Sequence, residues 1–132
     1  MKVVAGILVY KEKVLALKRP FSQNKYISLK YEFPGGKLKK EETLLFALKR
    51  ELREELSINV RDPIPYFNTA YKYPQFRVFL SFFVCYLNEL KIKLNVHIDY
   101  KLLAIEELRK VNWLDADYAV IEHIEKKGFP IN

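Results

Sequence analysis

The stretch from Gly35 to Ile58, GGKLKKEETLLFALKRELREELSI, constrains this chain more than any other part of it. It joins a Gly-Gly turn to a segment that is apolar on one side and acidic on the other. Read as a helix at roughly 100° per residue, Glu51, Glu54 and Glu55 share about 100° of arc. The pairs 51/54 and 51/55 have the spacings that set side chains next to each other, and like charges so placed cost a helix roughly 0.2–0.5 kcal/mol per pair. Two readings account for the arrangement. Glutamate forms helices well, and a charged helix face is commonly a solvated one. The other reading puts a cation among the carboxylates, and oxygen ligands suit Mg²⁺, Mn²⁺ and Ca²⁺. Leu45, Leu48, Leu52 and Leu56 form the opposite stripe, the candidate core face. Thr43 is a candidate N-cap, so the helix is predicted over Leu44–Leu56.

The remainder reads as strands and helices in mixture. Val3–Tyr10 and Lys13–Leu17 are predicted strands joined by the turn Lys11-Glu12. Pro20–Ser28 is polar and turn-like, a surface loop. Tyr31–Phe33 is a short strand closed by Pro34-Gly35-Gly36. Pro63–Ala70 and Phe76–Leu87 are strands separated by a turn at Pro74, and Tyr100–Ile105 is another. Glu106–Lys110 is a helical turn, and Ala116–Lys126 a closing helix with Val120, Ile121 and Ile124 turned inward. This mixture predicts an α/β fold, a sheet covered by helices on both faces, in a single domain over residues 1–132. Such a length supports a proper core, and 50% hydrophobic with 30% charged residues is a globular composition.

The formal net charge of +7 favours anionic partners. The lysines are spread along the whole chain, which argues against a nucleic-acid arm, so no stable nucleic-acid partner is expected. Cys85 is the sole cysteine, which excludes an internal disulfide and a zinc-type Cys pair. Within FFVCYL it reads as a small core residue. The apolar N-terminal run KVVAGILVY meets Lys11 too soon to span a membrane, and a cytoplasmic protein is expected.

Gly36 is followed by five residues and Glu42, seven more lead to Arg50-Glu51-Leu52, and Glu54-Glu55 and Ser57-Ile58 complete the pattern. This resembles the Nudix box of the Nudix hydrolases. One position departs: Ser57 stands where the family usually has Gly, a residue suited to a left-handed helix terminus. The resemblance implies an α/β/α sandwich around a mixed sheet, and hydrolysis of a nucleoside diphosphate joined to another group. It implies Mg²⁺ as cofactor, with Mn²⁺ as a substitute. Glu51, Glu54, Glu55 and the carbonyl of Gly35 are the implied ligands. Glu51 is the implied general base, and Arg50, with Glu42 as its partner, holds the glutamates in place. A Gly-Gly pair also lets the backbone come close to metal and phosphate.

Outside the box the chain is similar to the MutT-like nucleotide pyrophosphatases. Tyr31-Glu32-Phe33-Pro34-Gly35-Gly36-Lys37 looks like their strand entering the box. By that resemblance Phe33 lines a base pocket, Arg19 faces phosphates or base, and Lys37 lies on the substrate side. Trp113-Leu114-Asp115-Ala116-Asp117 resembles their Trp-Leu-Pro-Ala-Asp segment and puts Asp117 where a purine-reading Asn is known. An ionised Asp accepts but cannot donate. The plainer role for Asp117 is an acid at a helix N-terminus. Tyr73 and Phe76 either stack on a base or fill a core. Val96 and His97 fall where relatives often carry Glu followed by His, so His97 reads as a loop histidine and the base falls to Glu51. The implied partner is a small nucleotide, a triphosphate such as 8-oxo-dGTP or CTP/dCTP, cleaved to monophosphate and pyrophosphate. A dinucleotide, a nucleotide sugar, an RNA 5′ end or a non-catalytic nucleotide-binding module are the alternatives. The protein is expected as a monomer or homodimer.

Overall fold

Strands β1 (Lys2–Tyr10) and β2 (Lys13–Lys18) are joined by a two-residue turn in which Lys11 and Glu12 take φ of 48° and 66°. That geometry matches the twist of a tight hairpin. The computed structural model describes residues 1–130. The hairpin is closed only at its tip, where Val9 opposes Val14 and Tyr10 opposes Lys13. Below the tip the strands part, and residues 31–37 enter the fork. There β3 (Tyr31–Glu32) pairs with β2, the Gly6 N–H donates to the Pro34 carbonyl at 2.8 Å, and β4 (Gly35–Lys37) pairs with Val3–Ala5. The short strand predicted to stop at Phe33 thus resumes after Pro34. The opened edge of β1 offers unpaired backbone groups that the Gly-Gly segment satisfies.

The other edge of β1 pairs in parallel with β6 (Arg77–Tyr86), which pairs antiparallel with β5 (Ile64–Lys72); β7 (Asp99–Leu103) pairs antiparallel with β2. The sheet is therefore mixed. Strand alternation sorts its apolar residues to two faces. Val4, Leu8, Leu15, Leu17 and Cys85 pack with α1 (Leu44–Leu56). Ala5, Ile7, Val14, Ala16 and Phe82 pack with Trp113, Val120, Ile121 and Ile124. The latter belong to α2 (Tyr118–Lys127) and the irregular segment before it. The result is the α/β/α sandwich. Two 3₁₀ turns, Ile105–Lys110 and Asp115–Asp117, lead into α2, so the closing helix starts two residues later than predicted. The β5–β6 ladder runs on to Lys72 opposite Arg77, which carries β5 past the predicted end at Ala70. Among the described residues no helix is long and apolar enough to cross a membrane.

Helix α1 starts as predicted, with the Thr43 Oγ1 accepting the Phe46 N–H at 3.1 Å. It ends at Ser57 in the left-handed conformation, φ 57° and ψ 38°. Its buried residues are Ala47, Leu48, Leu52 and Leu56; a fully buried leucine contributes about 1.5–3 kcal/mol. Leu45 departs from expectation at 41% exposed, and its neighbours Leu44 and Phe46 are exposed too. The first turn overhangs the apolar layer, so the stripe is buried only further along.

Gly35 binds α1's partner segment to β1. A Cβ there would lie 2.0 Å from the Val4 carbonyl oxygen, and neither backbone can yield. Gly35→Ala is expected to destabilise the protein by roughly 3 kcal/mol or more in urea denaturation.

Candidate active site

Arg50 organises the acidic face of α1. Its Nε donates to Glu42 Oε2 at 2.6 Å and its Nη2 to Glu42 Oε1 at 2.9 Å. Its Nη1 donates to Glu51 Oε1 at 2.8 Å and Glu54 Oε2 at 3.2 Å, and Nη2 also reaches the Lys37 carbonyl at 3.2 Å. The forked, charge-assisted contact with Glu42 fixes the guanidinium, and through it the rotamers of two box glutamates. The hydrogen bond from Arg50 holds the Glu42 carboxyl down to about 2, helped by the Lys39 N–H.

The glycines meet the carboxylates directly. Glu55 Oε1 accepts the Gly35 N–H at 2.9 Å. The Glu51 carboxyl lies flat against Gly36, where a Cβ would sit 2.7 Å from its carboxyl carbon. The reason for Gly-Gly is thus partly different from the one read in the sequence: Gly35 makes room for β1, and Gly36 makes room for Glu51.

Two residues of the candidate site are missing from the sequence reading. Glu32 lies opposite Leu17, whose side chain faces α1, so the alternation Tyr31-Glu32-Phe33 sends Glu32 to the α1 face and its neighbours to the other. That alternation is a signal the sequence contained. Arg19 Nη1 donates to Glu32 Oε2 at 3.1 Å, and His97 Nε2 lies 2.7 Å from the same oxygen. His97 is buried rather than a surface loop residue. Residues 93–97 run along the end of α1, with the Lys93 N–H on the Leu56 carbonyl and the Asn95 N–H on the Glu55 carbonyl, which turns the ring inward. No local signal marks this. Val96 beside it is half exposed.

One ligand atom each from Glu32, Glu55 and His97 lie within 4.8 Å of one another. Burial, then the Glu32 carboxylate, with Glu51 adding, pushes Glu55 up to about 8 against the Gly35 N–H and Arg19. Carboxylates crowded to that degree, with oxygen atoms facing a glycine backbone, form a donor set that fits a hard divalent cation.

The residues assigned to substrate lie at different depths. Phe33 is buried, stacked on Trp113 at 4.6 Å and edge-on to Phe82 at 5.9 Å, in the core on the sheet face opposite α1. Lys37 has an exposed side chain, and its carbonyl is what touches the site. Tyr73 is buried among Tyr71, Phe76 and Tyr26, at centroid distances of 4.7, 5.1 and 6.2 Å, while Phe76 is exposed. Asp117 is 4% exposed, and its Oδ2 has no hydrogen-bond partner. Burial, then Glu32, raises it well above the usual carboxylate range, against the Phe33 N–H. A shift in that direction favours the neutral acid, which donates as well as accepts.

The Glu42–Arg50 contact makes stability fall with acid. A depressed carboxyl contributes stability that is present above its unfolded value near 4.5 and is lost as pH falls toward about 2. Glu42→Gln is expected to lower Tm at pH 7 and to converge on wild type near pH 2 in thermal melts.

The NUDIX domain pattern matches residues 1–128. The 8-oxo-dGTP diphosphatase of Buchnera aphidicola subsp. Schizaphis graminum is 30% identical over 127 residues, which cover 96% of this chain and 95% of that protein. The MutT protein of methicillin-resistant Staphylococcus aureus is 34% identical, with a TM-score of 0.71 over 97% of each chain. MutT from Methanosarcina mazei shares the fold at a TM-score of 0.84 and 21% identity, covering 98% of this chain and 96% of its own. With the Glu51 and Glu55 carboxylates gathered on a glycine turn and a family match along nearly its full length, the chain belongs to the Nudix hydrolases.

Proposed function

We propose that this Nudix hydrolase cleaves a nucleoside triphosphate to monophosphate and pyrophosphate, with Mg²⁺ as its cation and Mn²⁺ able to replace it. One observation carries the reading: the Glu51 and Glu55 carboxyls meet the backbone of Gly35 and Gly36, at a site crowded enough to push Glu55 up to about 8. Glu51, Glu54, Glu55 and the Gly35 carbonyl would hold the cation. A bound divalent ion neutralises anionic phosphate oxygens and lowers the pKa of water. Arg50 keeps Glu51 and Glu54 oriented, and Glu51 is the base that accepts the proton of the attacking water. Arg19, beside Glu32, is the cation available to a phosphate at this edge.

The substrate assignment draws on the relatives. Those from Buchnera and from Proteus vulgaris, the latter 35% identical over 85 residues, are 8-oxo-dGTP diphosphatases. That makes 8-oxo-dGTP the first substrate, and CTP and dCTP the comparison. Asp117, with its free Oδ2, is the base-reading residue, and Tyr73 with Phe33 forms the apolar surround.

A nucleotide panel with Mg²⁺, resolved by product chromatography, is expected to show monophosphate and pyrophosphate from 8-oxo-dGTP. Glu54→Gln should cut turnover by about 100-fold or more with the fold intact by circular dichroism. Full activity in that variant would overturn the metal assignment. Asp117→Asn keeps a donor and an acceptor and should hold kcat/KM near wild type. Asp117→Leu should raise KM by about tenfold with little change in kcat, the loss of one buried hydrogen bond. An unchanged KM in Asp117→Leu would remove Asp117 from base recognition.

A further inference from the structure

Ser57 sits at a left-handed position, φ 57°, that favours glycine. Its side chain is nevertheless engaged: Oγ accepts the Asn95 Nδ2 at 2.9 Å. The same Nδ2 reaches the Glu54 carbonyl at 3.0 Å, and backbone N–H groups of Asn95 and Lys93 take the carbonyls of Glu55 and Leu56, each at 3.0 Å. The loop thus satisfies three successive carbonyls at the end of α1 that would otherwise lack partners. Two residues on, the His97 side chain is fully buried with Nε2 at 2.7 Å from Glu32, and then the Ile98 N–H bonds the Lys18 carbonyl at 3.0 Å. The segment is therefore tied to α1 at one end and to β2 at the other. Between the ties it holds Glu32, whose other side-chain partner is the part-exposed Arg19. A carboxylate only accepts, so His97 Nε2 is the donor.

We propose that Lys93–His97 is a positioning strap, indexed to α1 by the Ser57–Asn95 hydrogen bond, that sets Glu32 against Glu55. Ser57, Asn95 and His97 are positioning residues: none is placed on the substrate. The proposal rests on the reading that Glu55 holds the catalytic cation. A helix cap alone needs no side chain at residue 57, and glycine serves it better. The serine is explained by what it holds.

The two roles separate in Ser57→Gly. A cap alone predicts a protein at least as stable and equally active. A strap predicts one at least as stable and slower. Wild type, Ser57→Gly, Asn95→Ala and the double variant are compared by Tm, by kcat and KM on the nucleotide that wild type hydrolyses, and by NMR exchange of the His97 Nε2 proton in metal-free protein. Each single variant should lose about tenfold in kcat with KM little changed. The double should be no slower than the slower single, because the one bond lost in Ser57→Gly is already lost in Asn95→Ala, which also frees the Glu54 carbonyl. The Nε2 proton, protected in wild type, should exchange faster in all three. His97→Gln, which keeps a donor for Glu32, should retain far more kcat than His97→Leu. Wild-type kcat and a protected proton in Ser57→Gly would overturn the strap, as would multiplying losses in the double. If wild type hydrolyses no nucleotide, the functional reading fails, and the Nε2 exchange still decides for or against the strap.

Discussion

The wedge of residues 31–37 in the fork of the first hairpin is the contact on which the site depends. Its backbone pairs with β2, then bonds Gly6, then pairs with β1. Four of the residues that enter the fork deliver something to α1. Glu32 points at the helix, Gly35 gives its N–H to Glu55, Gly36 leaves space for Glu51, and the Lys37 carbonyl receives Arg50. Removing the wedge would leave three glutamates on a solvated helix and no site.

The helix side is built against its own electrostatics. The Glu32 carboxylate, and after it Glu51, act on Glu55 as like charges. Arg50 and Arg19 offset part of this from opposite ends, and Glu42 spends its charge on Arg50 instead of on the cluster. The remainder favours a bound cation, and a ligand that binds only the folded chain stabilises it by mass action. Local stability and the proposed chemistry would therefore be coupled through the same carboxylates.

Local features were legible in the sequence, and nonlocal ones were not. The limits of α1, its Thr43 cap and the β1–β2 turn follow from capping and turn chemistry within a few residues. The inward stripe was legible too, except at Leu45, whose burial depends on how far the apolar layer beneath the helix extends. Glu32 was available from strand alternation. His97 was not, because its burial needs a loop that packs on helix carbonyls some forty residues earlier and a carboxylate 65 residues away. Asp117 read as an acid at a helix N-terminus, and the rise of its carboxyl follows from burial and from Glu32, which no local pattern reveals.

The proposed divalent cation would bind among the α1 carboxylates at the glycine turn. Paramagnetic broadening by substoichiometric Mn²⁺ of the assigned amide spectrum reads its location directly. Selective loss of the Gly35, Gly36, Glu51 and Glu55 amides, with Lys11–Lys13 and Glu106 sharp, is the predicted result. Broadening centred elsewhere, or none at saturating Mn²⁺, would contradict it.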